Sequence, residues 1–357
     1  MGTDPVDDFK VHPAYMTGMV TKDLVNGLYQ NHWTNTAILP YGSFGGPTKT
    51  VNVGYQEKWD ALASVMKYIK DNEGALAAAT WQGAKSWHNN TTGGNWSGRV
   101  TSVIAKNTGG AQDASGSTYV ETGHYTASGT EYLYVVNRRT VSTESRNITL
   151  TLNNPTSWMV SESPSGNVWI VRPSGTLTDL LGPGEGRFYK MVPSTNIGSF
   201  TVPVGATINV NAGATATFSS GVNITVNGKM IANGTSTQHI SLTKSGTGNW
   251  QGITLNSANG SSLQYCDFNY ATIPIKATNT SNLTIGNVTI GNSNFYNGGV
   301  DDAAMAFYNS SPTINSVTIN GQAGSKNGVR FASSSGGSII GSTIQNCGAG
   351  NGIVVQG

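Results

Sequence analysis

Two groups of acidic residues have types and spacing that could support acid–base chemistry. Asp4, Asp7 and Asp8 cluster near the start of the chain, and Asp301 and Asp302 are adjacent in the segment NGGVDDAAMAF. Two carboxylates held near each other can act as a general acid and a general base. Asp4, Asp301 and Asp302 are therefore the candidate catalytic residues. The alternatives are a solvated loop with a helix cap for the first group and a surface turn for the second.

Three aromatic residues could bind a substrate. Tyr41 follows a short apolar run, Trp81 ends a run of small residues, and Trp87 comes six residues later beside a histidine. The π face of an aromatic ring suits the apolar C–H face of a sugar. Tyr41, Trp81 and Trp87 are therefore predicted to bind substrate. The alternative for the two tryptophans is ordinary packing against the β-rich segment that follows.

The other reactive side chains show no pattern of a metal or cofactor site. The sequence contains no phosphate-binding loop, no Ser-His-Asp pattern and no zinc-ligand spacing, so no cofactor or metal is predicted. Cys266 and Cys347 are too few for a disulfide framework and are predicted to be small buried hydrophobic residues. The histidines interpreted as structural are His12, His32, His124 and His239.

The composition excludes several functional classes. Only 11% of the 357 residues are charged, against a usual level of about 25%, and the net charge is +2. This weak and dispersed positive charge argues against nucleic acid as a partner. No apolar run approaches the roughly 18 residues of a membrane helix, so membrane insertion is not expected. We expect a monomer.

The amino-acid composition of the chain is typical of an extracellular or cell-surface protein. Asn, Thr, Ser and Gly are abundant, and the N-terminal segment MGTDPVDDFKVHPAYM lacks the basic and apolar regions of a signal peptide. We therefore expect the secretion signal to lie upstream and this chain to be a fragment. The end at NGIVVQG falls in mid-repeat, which predicts a downstream continuation.

Three domains are predicted from changes in pattern, giving a multidomain and mainly β protein. Residues 1–112 are predicted to be α/β, with a helix over Gln56–Asn72 and a strand over Gly74–Trp81 buried on both faces as in a parallel sheet. Residues 113–193 hold alternating runs such as YLYVVNRRTV, NITLTL, WMVSE, NVWIV and RFYKMV, which predict an antiparallel β-sandwich.

Residues 194–357 are repetitive. Gly205, Gly213 and Gly221 separate short β-prone runs of four residues, namely TINV, TATF and NITV. Further on, GITL, GVRF and GIVV resemble each other, as do LQYCDF, IGNVTI and INSVTI, at spacings of about 22 to 30 residues. Stacked coils of short strands are predicted, with apolar columns inside and Asn and Thr ladders outside. Charges stacked in register would repel, which explains their scarcity.

This last segment resembles a right-handed parallel β-helix of the pectin-lyase-like kind. The resemblance implies the fold and leaves the activity open, because the fold hosts lyases, hydrolases, adhesins and spacers. Hydrolases of this kind use carboxylate pairs on one coil, which directs attention to Asp301 and Asp302. No acidic partner is found on a neighbouring coil, and Lys326 and Arg330 leave only a lone substrate subsite one coil later.

The first two segments resemble the end of a glycoside-hydrolase-type (β/α)8 barrel followed by its small β-sandwich. The resemblance is carried by ILPY (38–41), AAATW (77–81), YLYVVNRR and LLGPGEGRFYKM. It implies that roughly the first five barrel strands lie upstream, and that Asp4, Tyr41 and Trp81 lie near strand ends where barrel enzymes react. The segment LPYGSF carries no Glu at the position where many barrel glycosidases have their nucleophile.

These patterns predict part of a secreted polysaccharide-active protein, with the β-helix as an accessory domain that binds glycan or acts as a spacer. Whether the protein is an enzyme depends on the upstream barrel, since this chain alone lacks a full set of catalytic residues. One alternative is a non-catalytic surface adhesin or stalk. Another is a β-helix polysaccharide lyase or hydrolase with its site at Asp301 and Asp302.

Overall fold

The computed structural model describes residues 67–68, 70–139, 143–293, 295, 298, 302–322, 325–348 and 350–356. Asp4, Tyr41, Asp301 and most of the helix expected over Gln56–Asn72 lie outside the described residues.

The helix and strands follow one another along the chain with these bounds: α1 (Glu73–Ala78), β1 (Thr80–Ser86), β2 (Thr92–Gly93), β3 (Val100–Lys106), β4 (Val120–Ala127), β5 (Thr130–Asn137), β6 (Arg146–Leu152), β7 (Trp158–Glu162), β8 (Val168–Val171), β9 (Thr176–Leu181), β10 (Gly186–Pro193), β11 (Phe200–Val202), β12 (Thr207–Val210), β13 (Thr215–Phe218), β14 (Asn223–Val226), β15 (Lys229–Asn233), β16 (Ile240–Lys244), β17 (Gly252–Asn256), β18 (Ser262–Gln264), β19 (Cys266–Asn269), β20 (Ile275–Thr278), β21 (Thr284–Gly286), β22 (Thr289–Ser293), β23 (Ala303–Tyr308), β24 (Thr313–Asn315), β25 (Thr318–Gly321), β26 (Asn327–Ala332), β27 (Ser338–Ile340), β28 (Thr343–Gln345) and β29 (Ile353–Val355).

The chain divides into two compact units. The first comprises Met1–Asn153, Glu162–Pro164 and Thr176–Val192, and the second comprises Asn154–Ser161, Ser165–Gly175 and Pro193–Gly357. The first unit contains two antiparallel sheets. In one the strand order is β2-β1-β4-β5-β10, and in the other it is β3-β6-β9.

The prediction of a strand over Gly74–Trp81 is wrong for most of its length. The structure has helix α1 over Glu73–Ala78, closed by backbone hydrogen bonds such as Ala79 N to Ala75 O at 3.0 Å. Alanine and leucine have high helix propensity, which outweighs the resemblance of a small-residue run to a buried strand. The strand that follows, β1, pairs antiparallel with β2 and β4. Within the described part of residues 67–112, the paired strands are thus antiparallel, and the parallel barrel sheet is not shown.

The strands expected between 132 and 192 are confirmed as strands. They correspond to β5, β6, β7, β8 and β10. β8 and all but the last residue of β7 belong to the second unit, where β8 pairs in parallel with β12, Ile208 opposite Val168. Since the backbone groups on an open edge strand need partners, β8 satisfies the free edge of β12.

The second unit is a β-solenoid of about six turns, which confirms the parallel β-helix. Each coil contributes one strand to each of three parallel sheets. We call them sheet 1 (β11-β14-β17-β20-β23-β26-β29), sheet 2 (β12-β15-β18-β21-β24-β27) and sheet 3 (β13-β16-β19-β22-β25-β28). Coil 1 comprises β11–β13, and the coils are numbered in chain order to coil 6, which comprises β26–β28.

The repeats read from the sequence occupy equivalent places. The runs TINV, TATF and NITV form β12, β13 and β14, and the glycines before them have positive φ angles of 84°, 76° and 74°. GITL, GVRF and GIVV lie in sheet 1, while LQYCDF, IGNVTI and INSVTI each span the corner from sheet 2 to sheet 3. Their inward fourth residues are buried Cys266, Val288 and Val317.

Aromatic rings fill the solenoid interior in its first coils. The Trp250 side chain is fully buried and stacks on Phe218, with ring centroids 4.4 Å apart, and on Phe268 at 6.2 Å. Its Nε1 donates a hydrogen bond to the Asn269 carbonyl at 2.9 Å. Phe218 lies on β13 and Phe268 on β19, and Trp250 follows β16, the strand between them in sheet 3. The Trp250 side chain therefore links three successive coils.

We expect Trp250→Ala to lower the stability of the solenoid by about 3–5 kcal/mol, the usual loss for removing a buried large aromatic side chain. Urea unfolding followed by far-ultraviolet circular dichroism measures this loss. Gln251→Ala, which changes the exposed residue next to Trp250, is the control and should leave the urea midpoint nearly unchanged. Equal midpoints for both variants would contradict the assigned packing.

Candidate functional site

The corners of the solenoid are made by single residues in the left-handed conformation. At the corner from sheet 2 to sheet 3 and at the corner after sheet 3, most coils use Asn, Ser or Gly, which tolerate positive φ. The first corner is occupied in coils 3 to 6 by Tyr265, Asn287, Ser316 and Gly341, and the second by Tyr270 in coil 3, Asn292 in coil 4 and Asn346 in coil 6.

Coil 3 departs from this rule at both ends of β19. Tyr265 has φ 49° and Tyr270 has φ 58°, so two bulky aromatic residues adopt a conformation that costs about 1–2 kcal/mol each. Backbone strain of this kind is often found at functional sites. Phe295 of coil 4 also has a positive φ of 46°, but its ring is fully buried in the core, whereas Tyr265 and Tyr270 are partly exposed. Filling the core therefore does not account for the two tyrosines.

Each tyrosine ring contacts a side chain of coil 2. The His239 ring centroid lies 5.6 Å from that of Tyr265, and Lys244 Nζ lies 4.2 Å from the centre of the Tyr270 ring. Between them, the Asp267 carboxylate lies 3.1 Å from His239 Nδ1. We call these five residues the β19 surface.

The β19 surface is open to solvent and polar between its rings. The side chains of His239 and Asp267 are 38% and 31% exposed. The two tyrosine Cα atoms are at most about 17 Å apart along an extended strand. An elongated ligand could thus stack on both rings and offer hydroxyl groups to Asp267, which is the usual combination in sugar recognition.

The strand beneath this surface is held by buried groups that do not react. Cys266 and Phe268 point inward and are fully buried. Burial, with a smaller effect from the Asp267 charge, raises the pKa of the Cys266 thiol to about 12. A thiol that stays protonated is a poor nucleophile, so Cys266 serves as a small core residue, as expected.

Of the aromatic residues predicted to bind substrate, Trp81 and Trp87 lie in the described part of the first unit. The Trp81 ring is covered by Gly94, where an added Cβ would lie 2.5 Å from a ring carbon. Trp87 Nε1 donates to Thr122 Oγ1 at 3.0 Å, and Lys85 Nζ lies 4.2 Å from its ring. Both indoles thus make structural contacts on at least one side, and their role toward a substrate stays a prediction.

Of the predicted acidic residues, only Asp302 lies within the described part of the chain. Its backbone carbonyl accepts hydrogen bonds from the backbone N and the Nδ2 of Asn327 on the next coil, at 3.1 and 3.0 Å. Its catalytic role stays a prediction.

The β19 surface contains His239, which was interpreted as structural, and residues that the sequence analysis did not single out. A usable signal was present. Aligning LQYCDF with IGNVTI and INSVTI places Tyr265 opposite Asn287 and Ser316, which marks one corner as exceptional. The contacts of His239 and Lys244 could not be read this way, because they join different coils.

Comparison with protein-family models, with curated proteins and with solved structures gave no match. The described residues contain no group of three or more His, Cys, Asp or Glu side chains placed to hold a metal ion. Likewise, no helix in the described ranges is both long and apolar enough to span a membrane.

Replacing each corner tyrosine by the residue of the following coil should relieve strain. We expect Tyr265→Asn and Tyr270→Asn each to raise solenoid stability by about 1 kcal/mol, because asparagine adopts positive φ readily. Thermal unfolding compared with the wild type measures the gain. A marked loss of stability in either variant would show that the rings are needed for packing.

Proposed function

We propose that this chain is part of a secreted polysaccharide-active protein and that its solenoid binds polysaccharide at the β19 surface. The observation that carries the proposal is the pair of strained tyrosines, Tyr265 and Tyr270, at the two ends of one strand. Asn287 and Asn292 take the equivalent corners of the next coil, so the repeat itself does not require aromatic residues there.

The charges of the surface favour a neutral polysaccharide. The ammonium group of Lys244 and the carboxylate of Asp267 offset each other, and the whole chain has a net charge of only +2. A polyanion would find no cluster of cations here. Neutral sugars need stacking faces and a few polar groups, which this surface supplies.

The scaffold supports recognition because it is preorganised. Outward asparagines hydrogen-bond from coil to coil, as in Asn309 to Asn279 at 2.8 Å and Asn292 to Asn269 at 3.0 Å. Both strand edges of β19 are paired, with β16 and β22. A surface that does not reorganise loses little conformational entropy when it binds.

Within this proposal the solenoid is an accessory domain. The β19 surface has one carboxylate, whereas glycoside hydrolysis by the usual mechanism requires two. Catalysis would then be encoded in the barrel and sandwich region that the sequence resembles, together with residues upstream. A non-catalytic adhesin or stalk, and a lyase or hydrolase acting at Asp301 and Asp302, are the alternatives to be separated by experiment.

Pull-down of the chain on a panel of insoluble and soluble polysaccharides tests the proposal. We expect binding to at least one neutral polysaccharide and roughly a 5- to 150-fold loss of affinity in the Tyr265→Asn, Tyr270→Asn double variant, since each aromatic stacking contact contributes about 0.5–1.5 kcal/mol. Tyr308→Asn, which removes an outward tyrosine from sheet 1, is the matched control and should bind like the wild type.

Reducing-sugar release and unsaturated-uronate absorbance are measured in the same tubes. Release that is lost in Asp302→Ala would favour the lyase or hydrolase. An absence of both binding and release would favour the adhesin or stalk. Equal loss of binding in the Tyr308→Asn control would contradict the assignment of the β19 surface.

A further inference from the structure

The first unit contains a serine, a histidine and a glutamate in a hydrogen-bonded row. Ser97 Oγ lies 2.7 Å from His124 Nδ1, and His124 Nε2 lies 2.9 Å from Glu131 Oε2. The residues come from the loop between β2 and β3, from β4 and from β5. The sequence shows no Ser-His-Asp pattern because these three residues meet only through the fold, and because the acid is a glutamate.

The hydrogen bonds among Ser97, His124 and Glu131 have defined donor and acceptor atoms. Arg99 holds Glu131 through two hydrogen bonds of 2.5 Å, one to each carboxylate oxygen. Burial acts to raise the pKa of Glu131, but the hydrogen bonds from His124 and Arg99 outweigh it and keep the pKa below its ordinary value. An ionised carboxylate only accepts hydrogen bonds, so His124 Nε2 carries the proton. His124 Nδ1 is then the acceptor for the Ser97 hydroxyl.

The loop that carries Ser97 can approach the sheet closely because residue 83 on β1 is a glycine. Gly83 is paired with His124 and has a φ of 127°, and a Cβ there would lie 2.5 Å from the backbone nitrogen of Trp96. The missing side chain lets the loop lie directly over the sheet. Ser97 is an exposed residue while His124 is buried, and Ser97 Oγ also accepts a hydrogen bond from the Arg99 backbone N at 3.3 Å.

We propose that Ser97, His124 and Glu131 form a site that hydrolyses carboxylic esters. Nucleophile, base and orienting acid are recognised by such geometry in any order along a chain. Ser97 and His124 are the catalytic residues of this proposal, and Glu131 is a positioning residue that fixes the histidine tautomer. This activity goes beyond polysaccharide binding and does not depend on it.

The reaction balances without a cofactor. Ser97 Oγ bonds to the acyl carbon as its proton passes to His124 Nδ1. The ester C–O bond then breaks, and the alcohol leaves with the proton from His124. Water attacks the acyl-serine, His124 takes a water proton and returns it to Ser97 Oγ, and the carboxylic acid is released.

The test uses the full chain with p-nitrophenyl acetate and a fluorophosphonate probe, with intact-mass and peptide mapping as readouts. We expect one fluorophosphonate adduct, located on Ser97. In Ser97→Ala we expect loss of the adduct and an ester hydrolysis rate at least 100-fold lower, since a positioned base contributes about 10²–10⁴-fold. Because Ser97→Ala removes the partner of the buried His124 Nδ1 and the acceptor of the Arg99 N–H, far-ultraviolet circular dichroism is measured alongside to compare its folding with the wild type. The adduct site in the wild type needs no variant.

Ser102→Ala is the matched control. Ser102 is an exposed serine of β3 whose hydroxyl donates to Thr151 Oγ1 at 2.8 Å and has no histidine partner. It should keep wild-type labelling and rate. An absence of labelling in the wild type, an adduct on another serine, or a Ser97→Ala rate equal to that of Ser102→Ala would each overturn the proposal.

Discussion

The second unit depends on one constraint, which is that parallel coils must stack in register. Each outward residue then lies about 4.8 Å from its equivalent on the next coil, and each inward residue packs on its equivalent in the same column. Apolar columns such as Ile253, Ile275 and Met305 satisfy this requirement, as do ladders of asparagine outside. Like charges in register would repel, which agrees with the presence of only eight Asp, Glu, Lys or Arg residues in the sequence from 194 to 357.

The same constraint makes exceptions informative. Corners need one residue at positive φ, and asparagine, serine and glycine meet this need with little strain. Tyr265 and Tyr270 adopt the same backbone conformation with large rings, and both belong to the coil that carries Asp267. In the function proposed above, the strain at these two positions is the cost in stability of presenting two rings to a polysaccharide.

Much of the solenoid could be predicted from the sequence, because its interactions repeat at short range. The boundaries of β12, β13 and β14 followed from glycine spacing and alternation alone. The run at 74–78 was mistaken for a strand, since small apolar residues suit a buried strand and a helix alike. The pairing of β8 with β12 and the row from Ser97 to Glu131 could not be foreseen, because they join segments that no local pattern relates.

Tyrosine modification with tetranitromethane, read by peptide mass spectrometry with and without the polysaccharide that the chain retains, tests the central claim most directly. It needs no substitution and locates contacts along the solenoid. If polysaccharide binds at the β19 surface, we expect it to protect Tyr265 and Tyr270 and to leave Tyr308 on sheet 1 as reactive as before. Protection of Tyr308 alone, or unchanged reactivity of both corner tyrosines, would contradict it.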